Sequence, residues 1–118
     1  MTIQTRDEMY PLKTIKLFLD DVREPSQVEH CIDPEEWVVV RSVAAAKSVL
    51  WTRQVMVISL DHDLGADQPT GYDLAKWMSE MFTWPDNVHY HTMNPVGRDN
   101  MMAEHKSYLK WERNGETK

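Results

Sequence analysis

Short apolar runs alternate along the chain with stretches in which apolar residues recur every three or four positions. The short runs predict four β-strands, at residues 14–21, 35–42, 54–61 and 86–92. The first three runs are almost continuously apolar, which is typical of strands buried on both faces of a parallel sheet. These strands are therefore typical of a parallel α/β protein.

The segments after the second, third and fourth strands have apolar residues at helical spacing, which predicts one helix in each. Residues 42–53 place apolar side chains on one face, and Ser42 is a suitable N-cap for that helix. Residues 71–84 carry a similar apolar face, and a last helix follows Pro95 and should stop at Gly115. Most of the methionines and tryptophans fall on these faces, so we expect them to fill the core.

The order of these elements predicts an α/β fold, a three-layer sandwich with right-handed crossovers. Residues 22–34, between the first two strands, are short and marked by prolines, so we expect only one or two helical turns there. We predict a parallel sheet of about four strands in the order 2-1-3-4. Residues 14–115 should form this single domain, and residues 1–13 should be a flexible leader.

Composition narrows the classes of function. The chain has 118 residues with a net charge of −6, which argues against an extended nucleic-acid surface but allows a pocket for one phosphate. No apolar stretch is long enough to span a membrane or to serve as a signal peptide. A single cysteine, Cys31, excludes an intramolecular disulfide and fits a reducing compartment. We therefore expect a cytoplasmic protein, of unknown oligomeric state.

Acidic side chains gather where the first and third strands end. Asp20 and Asp21 follow the first strand, and Asp61, His62 and Asp63 follow the third. These strands are neighbours in the order 2-1-3-4, so either the acids turn into solvent or a cation holds them together. Oxygen ligands without cysteine are what Mg²⁺ or Mn²⁺ prefers. We assign Asp20, Asp21 and Asp61 to such a metal. Asp63 is a further candidate ligand.

Histidines lie at the same predicted edge. His91 follows the fourth strand and is our candidate general acid or base, because an unperturbed imidazole titrates near neutral pH. His62 is either a ligand or a second acid–base group. His89 shares a strand face with His91, which permits a pair of imidazoles, but His89 lies deeper in the strand and we favour a structural role for it.

Phosphate-binding candidates surround these groups. Arg23 lies two residues beyond the acidic pair, and Arg98 opens the last helix; either could grip a phosphate with two hydrogen bonds. Thr92 and Asn94 follow the fourth strand at the same edge, and we include both among the substrate-binding residues.

The acidic pair after one strand, with an aspartate after the third, resembles the receiver domains of two-component response regulators. The resemblance implies that Asp20, Asp21 and Asp61 hold Mg²⁺ and that Asp61 accepts a phosphoryl group. It also places Asp63 where a receiver offers a backbone carbonyl to the metal, and Thr92 near the strand-four hydroxyl. The chain departs from a signalling receiver because it lacks a fifth strand and its lysine, and because it adds histidines.

The fuller series of motifs is more specific. The blocks LFLDDVREP, ISLDHDLG, TGYDLA and VHYHTMNPVGRDNM, in this order, resemble the cyclic-phosphate processing receiver-like family over about residues 16–102. The resemblance implies a hydrolase acting on 2′,3′-cyclic phosphates at RNA ends, as in RNA repair, or on cyclic nucleotides. We thus expect a metal-dependent phosphodiesterase with His91, His62 and Asp61 as catalytic residues.

Two other classes of function stay open at this point. One is a phospho-accepting signalling module, against which the missing lysine counts. The other is a module that binds and sequesters a cyclic nucleotide without cleaving it, which would use the same pocket.

Overall fold

The computed structural model describes residues 15–116, and the leader predicted for residues 1–13 lies outside this range. Its four strands are β1 (Ile15–Leu19), β2 (Trp37–Val40), β3 (Val55–Leu60) and β4 (Asn87–Tyr90). All pairings are parallel and the order is β2-β1-β3-β4, as predicted from the sequence. Residues 15–116 contain no fifth strand, which also agrees with the prediction.

Three α-helices follow the strands: α1 (Val43–Thr52), α2 (Gly71–Met81) and α3 (Pro95–Glu116). Ser42 caps α1 as predicted, since its hydroxyl accepts a hydrogen bond from the Ala45 N–H at 3.2 Å. The prediction that α2 runs to residue 84 was too long, because Phe82 adopts a left-handed conformation (φ 56°) and ends the helix.

All three helices pack on one face of the sheet. Alternation along β1 and β3 directs Leu17, Leu19, Ile58 and Leu60 to that face, where they form a single apolar core with the helices. Buried residues from each helix complete this core: Val43, Ala46, Leu50, Leu74, Ala75, Met78 and Met101.

The opposite face of the sheet is covered by the segment between β1 and β2. This segment contains two 3₁₀ turns, Pro25–Gln27 and Pro34–Glu36, in keeping with the one or two turns predicted. Phe18 packs there against Cys31 and Trp37 in a smaller apolar cluster. The third layer of the fold is therefore thin.

The expectation that methionine and tryptophan fill the core is wrong at several positions. Met93, Trp51 and Trp111 are 86%, 62% and 55% exposed. Helix α3 has 22 residues and is about 33 Å long, whereas the four residues of β4 span about 13 Å, so the end of α3 extends beyond the sheet. Among residues 15–116, no helix is both long and apolar enough to cross a membrane.

Candidate functional site

Three polar residues stand side by side where β1, β3 and β4 end. The backbone N–H groups of Asp20, Asp61 and His91 each donate to the carbonyl of the last residue of the neighbouring strand, at 3.2, 3.0 and 3.0 Å, so the sheet register continues through them. Their ligand atoms lie within 4.8 Å of one another, and all three residues are buried. The predicted convergence of acids at this edge is thus present for Asp20 and Asp61, with His91 as the third member.

Asp20 is fully buried and is held as a carboxylate by several donors. Its Oδ1 accepts the backbone N–H groups of Val22 at 2.9 Å and Arg23 at 2.8 Å, and its Oδ2 accepts Arg23 Nε–H at 2.8 Å. Burial by itself raises the pKa of Asp20, but these hydrogen bonds and the Arg23 charge outweigh burial and lower it. Asp20 is therefore ionised at neutral pH.

Arg23 is the cation that the structure places between the acids. In addition to its bond with Asp20, its Nη2 donates to the His91 carbonyl at 2.9 Å and stands 3.9 Å from Asp61 Oδ1. The sequence indicated Arg23 as a phosphate ligand; the structure shows its guanidinium paired with the acidic cluster. Part of the Arg23 side chain, 27%, still reaches solvent at this edge.

Asp61 differs from Asp20 in its electrostatic environment. Burial, and then the nearby charge of Asp20, raise the pKa of Asp61, although the His62 N–H and the Thr92 hydroxyl both bond to its carboxylate. The single charge of Arg23 thus compensates Asp20 more than Asp61. Two neighbouring carboxylates with opposed pKa shifts are typical of sites in which each has a different task.

His91 is buried deep in the same cluster. Its ring stacks on Phe18 with centroids 4.5 Å apart, its Nε2 lies 3.1 Å from Asp20 Oδ2, and its Nδ1 lies 2.6 Å from Ser59 Oγ. Burial lowers the pKa of His91 to about 4, in spite of the neighbouring Asp20. The assumption of an ordinary imidazole pKa, on which His91 was chosen as general acid or base, is therefore wrong.

A second group of predicted residues lies beside the cluster. His62 Nδ1 is 2.9 Å from Asp63 Oδ1, and Asn94 Nδ2 donates to Asp63 Oδ2 at 3.2 Å. Asn94 Oδ1 also accepts the Gly97 N–H at 2.9 Å, which caps α3. The structure does not bring Asp63 into the three-residue cluster, because its side chain is 66% exposed and turned to His62.

The remaining predicted residues take several positions. Thr92 is buried and its hydroxyl accepts the Asn94 N–H at 3.1 Å while also bonding to Asp61. Arg98 is exposed, and its Nη2 donates to the Thr92 carbonyl at 2.9 Å. Asp21 is half-buried and lies outside the cluster of Asp20, Asp61 and His91.

The sequence analysis missed two polar residues in contact with this site, Ser59 and His30. Ser59 Oγ forms one hydrogen bond with His91 Nδ1, at 2.6 Å, and another with His30 Nε2, at 2.8 Å. A lone serine within the apolar run VMVISL is a signal that could have identified Ser59. His30 lies in the non-periodic segment before β2, and no local pattern distinguishes it.

Comparison with known proteins gives one match. A family model described as "Cyclic-phosphate processing Receiver domain" matches residues 15–107, which include every residue of the candidate site. No curated protein and no solved structure matches the chain.

Proposed function

Since the chain belongs to the family of cyclic-phosphate processing receiver domains, we propose that it is a metal-dependent phosphodiesterase that opens a cyclic phosphate. The observation that carries this proposal is the buried cluster of Asp20, Asp61 and His91, whose ligand atoms lie within 4.8 Å of one another. Buried ionisable groups at the carboxyl edge of a parallel sheet are where such folds place their chemistry.

The donor set fits a divalent cation. Two carboxylates and one imidazole converge, and the single positive charge of Arg23 leaves one carboxylate, Asp61, with a raised pKa. A divalent cation held by Asp20 and Asp61 would supply the missing positive charge. Carboxylate oxygens are ligands that both Mg²⁺ and Mn²⁺ accept. When bound, such a metal polarises a phosphoryl oxygen and lowers the pKa of its water.

His62 is the residue we propose as the general base. The carboxylate of Asp63 bonds His62 Nδ1 at 2.9 Å, and the pKa of Asp63 is lowered, first of all by this bond. An ionised carboxylate only accepts, so His62 Nδ1 carries the proton and Nε2 is left as the basic nitrogen. Asp63 thereby orients His62, which is a different task from the metal ligation first assigned to Asp63.

The reaction then balances as hydrolysis of a phosphodiester. A water oxygen attacks phosphorus and gives a proton to His62 Nε2, while the bond from phosphorus to one sugar oxygen breaks. That leaving oxygen takes a proton from solvent, and the product is a phosphomonoester beside a free hydroxyl. Arg23, whose side chain is partly exposed, is the cation we propose to pair with the phosphate.

The substrate we propose is small. With a net charge of −6 the chain is poorly suited to bind a long stretch of nucleic acid, so the phosphate at an RNA end or on a free cyclic nucleotide is the proposed partner.

The test is to incubate the protein with a 2′,3′-cyclic nucleotide and Mn²⁺ or Mg²⁺ and to follow the phosphorus NMR signal. We expect conversion to a monoester, with loss of activity on adding a chelator and in Asp61→Asn. Asp86→Asn is the matched control, because Asp86 is an exposed aspartate immediately before β4, at the other end of that strand. If the nucleotide binds tightly and is recovered intact, the protein sequesters the cyclic nucleotide and does not hydrolyse it.

A further inference from the structure

A line of hydrogen bonds runs from the acidic cluster through the sheet to its helix-free side. It starts at Asp20 Oδ2, passes 3.1 Å to His91 Nε2, continues from Nδ1 2.6 Å to Ser59 Oγ, and ends 2.8 Å further at His30 Nε2. Ser59 is fully buried and the His91 side chain is 2% exposed, so water cannot replace either partner.

The donors in this line can be assigned from its Asp20 end. The Asp20 carboxylate already accepts two backbone N–H groups and Arg23 Nε–H, so it is ionised and can only accept from His91. His91 Nε2 must therefore carry a proton. A neutral His91 then has a bare Nδ1, which must accept a hydrogen bond from the Ser59 hydroxyl.

His30 completes the assignment. A hydroxyl has one hydrogen, so when Ser59 donates to His91 Nδ1 it can only accept from His30, whose Nε2 must carry a proton. Every polar atom of the line is then satisfied with His30, Ser59 and His91 all uncharged.

We propose that His30 is a positioning residue: by donating to Ser59 it keeps the Ser59 hydroxyl hydrogen on His91 Nδ1, and so holds the His91 ring in the orientation in which Nε2–H donates to Asp20. In this orientation His91 donates to Asp20 and fixes the carboxylate that faces the rest of the cluster. Without His30 the Ser59 hydroxyl is free to turn its hydrogen away from Nδ1, and the hold on the His91 ring is lost. The consequence for catalysis rests on the proposed function, but the tautomer itself does not.

His89 provides a matched control for His30. It is an exposed histidine whose ring stacks on His30 with centroids 4.3 Å apart, and it has no place in the line of hydrogen bonds. Replacing His89 removes a ring contact of His30, whereas replacing His30 removes the donor to Ser59. The two substitutions therefore separate packing from hydrogen bonding.

The experiment is nitrogen-15 NMR of the metal-free protein at pH 7, which distinguishes a protonated ring nitrogen from a bare one. We expect protonated Nε2 and bare Nδ1 at His91, and protonated Nε2 at His30. His30→Ala and Ser59→Ala should each shift the His91 Nδ1 signal. His30→Gln, whose amide N–H can donate in place of Nε2–H, should restore the wild-type signals, and His89→Ala should leave them in place.

Two results would overturn the proposal: a protonated Nδ1 at His91 in the wild type, or His91 signals that do not change in His30→Ala. In the hydrolysis assay we expect His30→Ala to lose about 10- to 100-fold in activity and His30→Gln to recover it, as for groups that orient a ligand from behind. If the wild type shows the expected tautomer but hydrolyses nothing, the proposed function fails while this inference stands.

Discussion

The Nε–H of Arg23 donates to Oδ2 of Asp20 at 2.8 Å, only three residues along the chain, and the same oxygen receives His91 Nε2 at 3.1 Å. The Asp20 carboxylate is thus surrounded by hydrogen-bond donors of the protein itself. Because the charge of Arg23 compensates Asp61 less than Asp20, the cluster as a whole keeps an excess of negative charge beside the partly exposed Arg23 side chain. The stability of the fold and the proposed chemistry depend on the same few charges.

Removing the Arg23 charge should destabilise the protein. In Arg23→Gln the buried Asp20 carboxylate loses its ion pair, and we expect the free energy of unfolding to fall by about 2–3 kcal/mol, below the full cost of a buried pair because Arg23 is 27% exposed. Urea denaturation with chelator present measures the change.

The double substitution Asp20→Asn with Arg23→Gln is the control for that experiment. It removes both charges, so it should recover part of the lost stability. Equal losses in the single and double variants would show that the ion pair contributes nothing, and that packing of the Arg23 stem accounts for the effect.

Asp61→Asn should stabilise the metal-free protein while removing its response to a divalent cation. Burial and the Asp20 charge raise the pKa of Asp61, so its ionised form destabilises the fold at neutral pH, and a neutral amide of the same shape relieves this cost. Thermal unfolding with chelator should show a higher Tm for Asp61→Asn than for the wild type. With Mn²⁺ the order should reverse; a variant that Mn²⁺ still stabilises as much as the wild type would argue against ligation by Asp61.

Stability should fall on mild acidification because of His91. Burial lowers the pKa of His91 from 6.5 to about 4, so the unfolded chain binds a proton that the folded protein excludes between these pH values. The contribution of neutral His91 to the free energy of unfolding is therefore fully present above pH 6.5. It is lost progressively as the pH falls towards 4, which lowers the free energy of unfolding by about 3 kcal/mol.

Urea denaturation at a series of pH values measures this slope. His91→Gln cannot take up the proton, so its slope should be shallower. His30 and His105 also have pKa values lowered by burial and contribute in the same direction, so some slope should persist in the variant. A slope that is the same in both proteins would contradict the assignment to His91.

Much of the fold could be predicted because its signals are local. Continuous apolar runs identified the buried strands, Ser42 identified the start of α1, and acids directly after β1 and β3 indicated one shared edge. The position of Asp20 next to Asp61 needs only the strand order, which confines these side chains to neighbouring strand ends.

The rest of the site depends on contacts between distant parts of the chain. The pKa of His91 is lowered above all by its burial in the folded protein, where its ring stacks on Phe18, and neither the burial nor the stacking is visible from the residues around His91. The sequence could place Arg23 near the acids, but whether it pairs with them or with a substrate depends on its side-chain conformation. His30 reaches Ser59 only because its non-periodic segment folds back over the sheet.

Two glycines at the edges of the site should respond differently to alanine. A β-carbon at Gly71 would overlap the backbone carbonyl of Asp61, whereas one at Gly97 would overlap the side-chain ring of His62. A backbone carbonyl within a sheet edge cannot move away, so we expect Gly71→Ala to lower the free energy of unfolding by about 3 kcal/mol or more, as overpacking does. In Gly97→Ala the overlap includes Cγ of His62, so the whole ring must swing away by rotation about the Cα–Cβ bond, and the better helix propensity of alanine offsets about 1 kcal/mol of the cost. That variant should lose less stability than Gly71→Ala but should lose activity, because His62 leaves Asp63. Urea denaturation and the hydrolysis assay, applied to both variants, test this contrast. Equal losses of stability would show that the His62 ring is held as firmly as the backbone, and full activity in Gly97→Ala would exclude His62 as the general base.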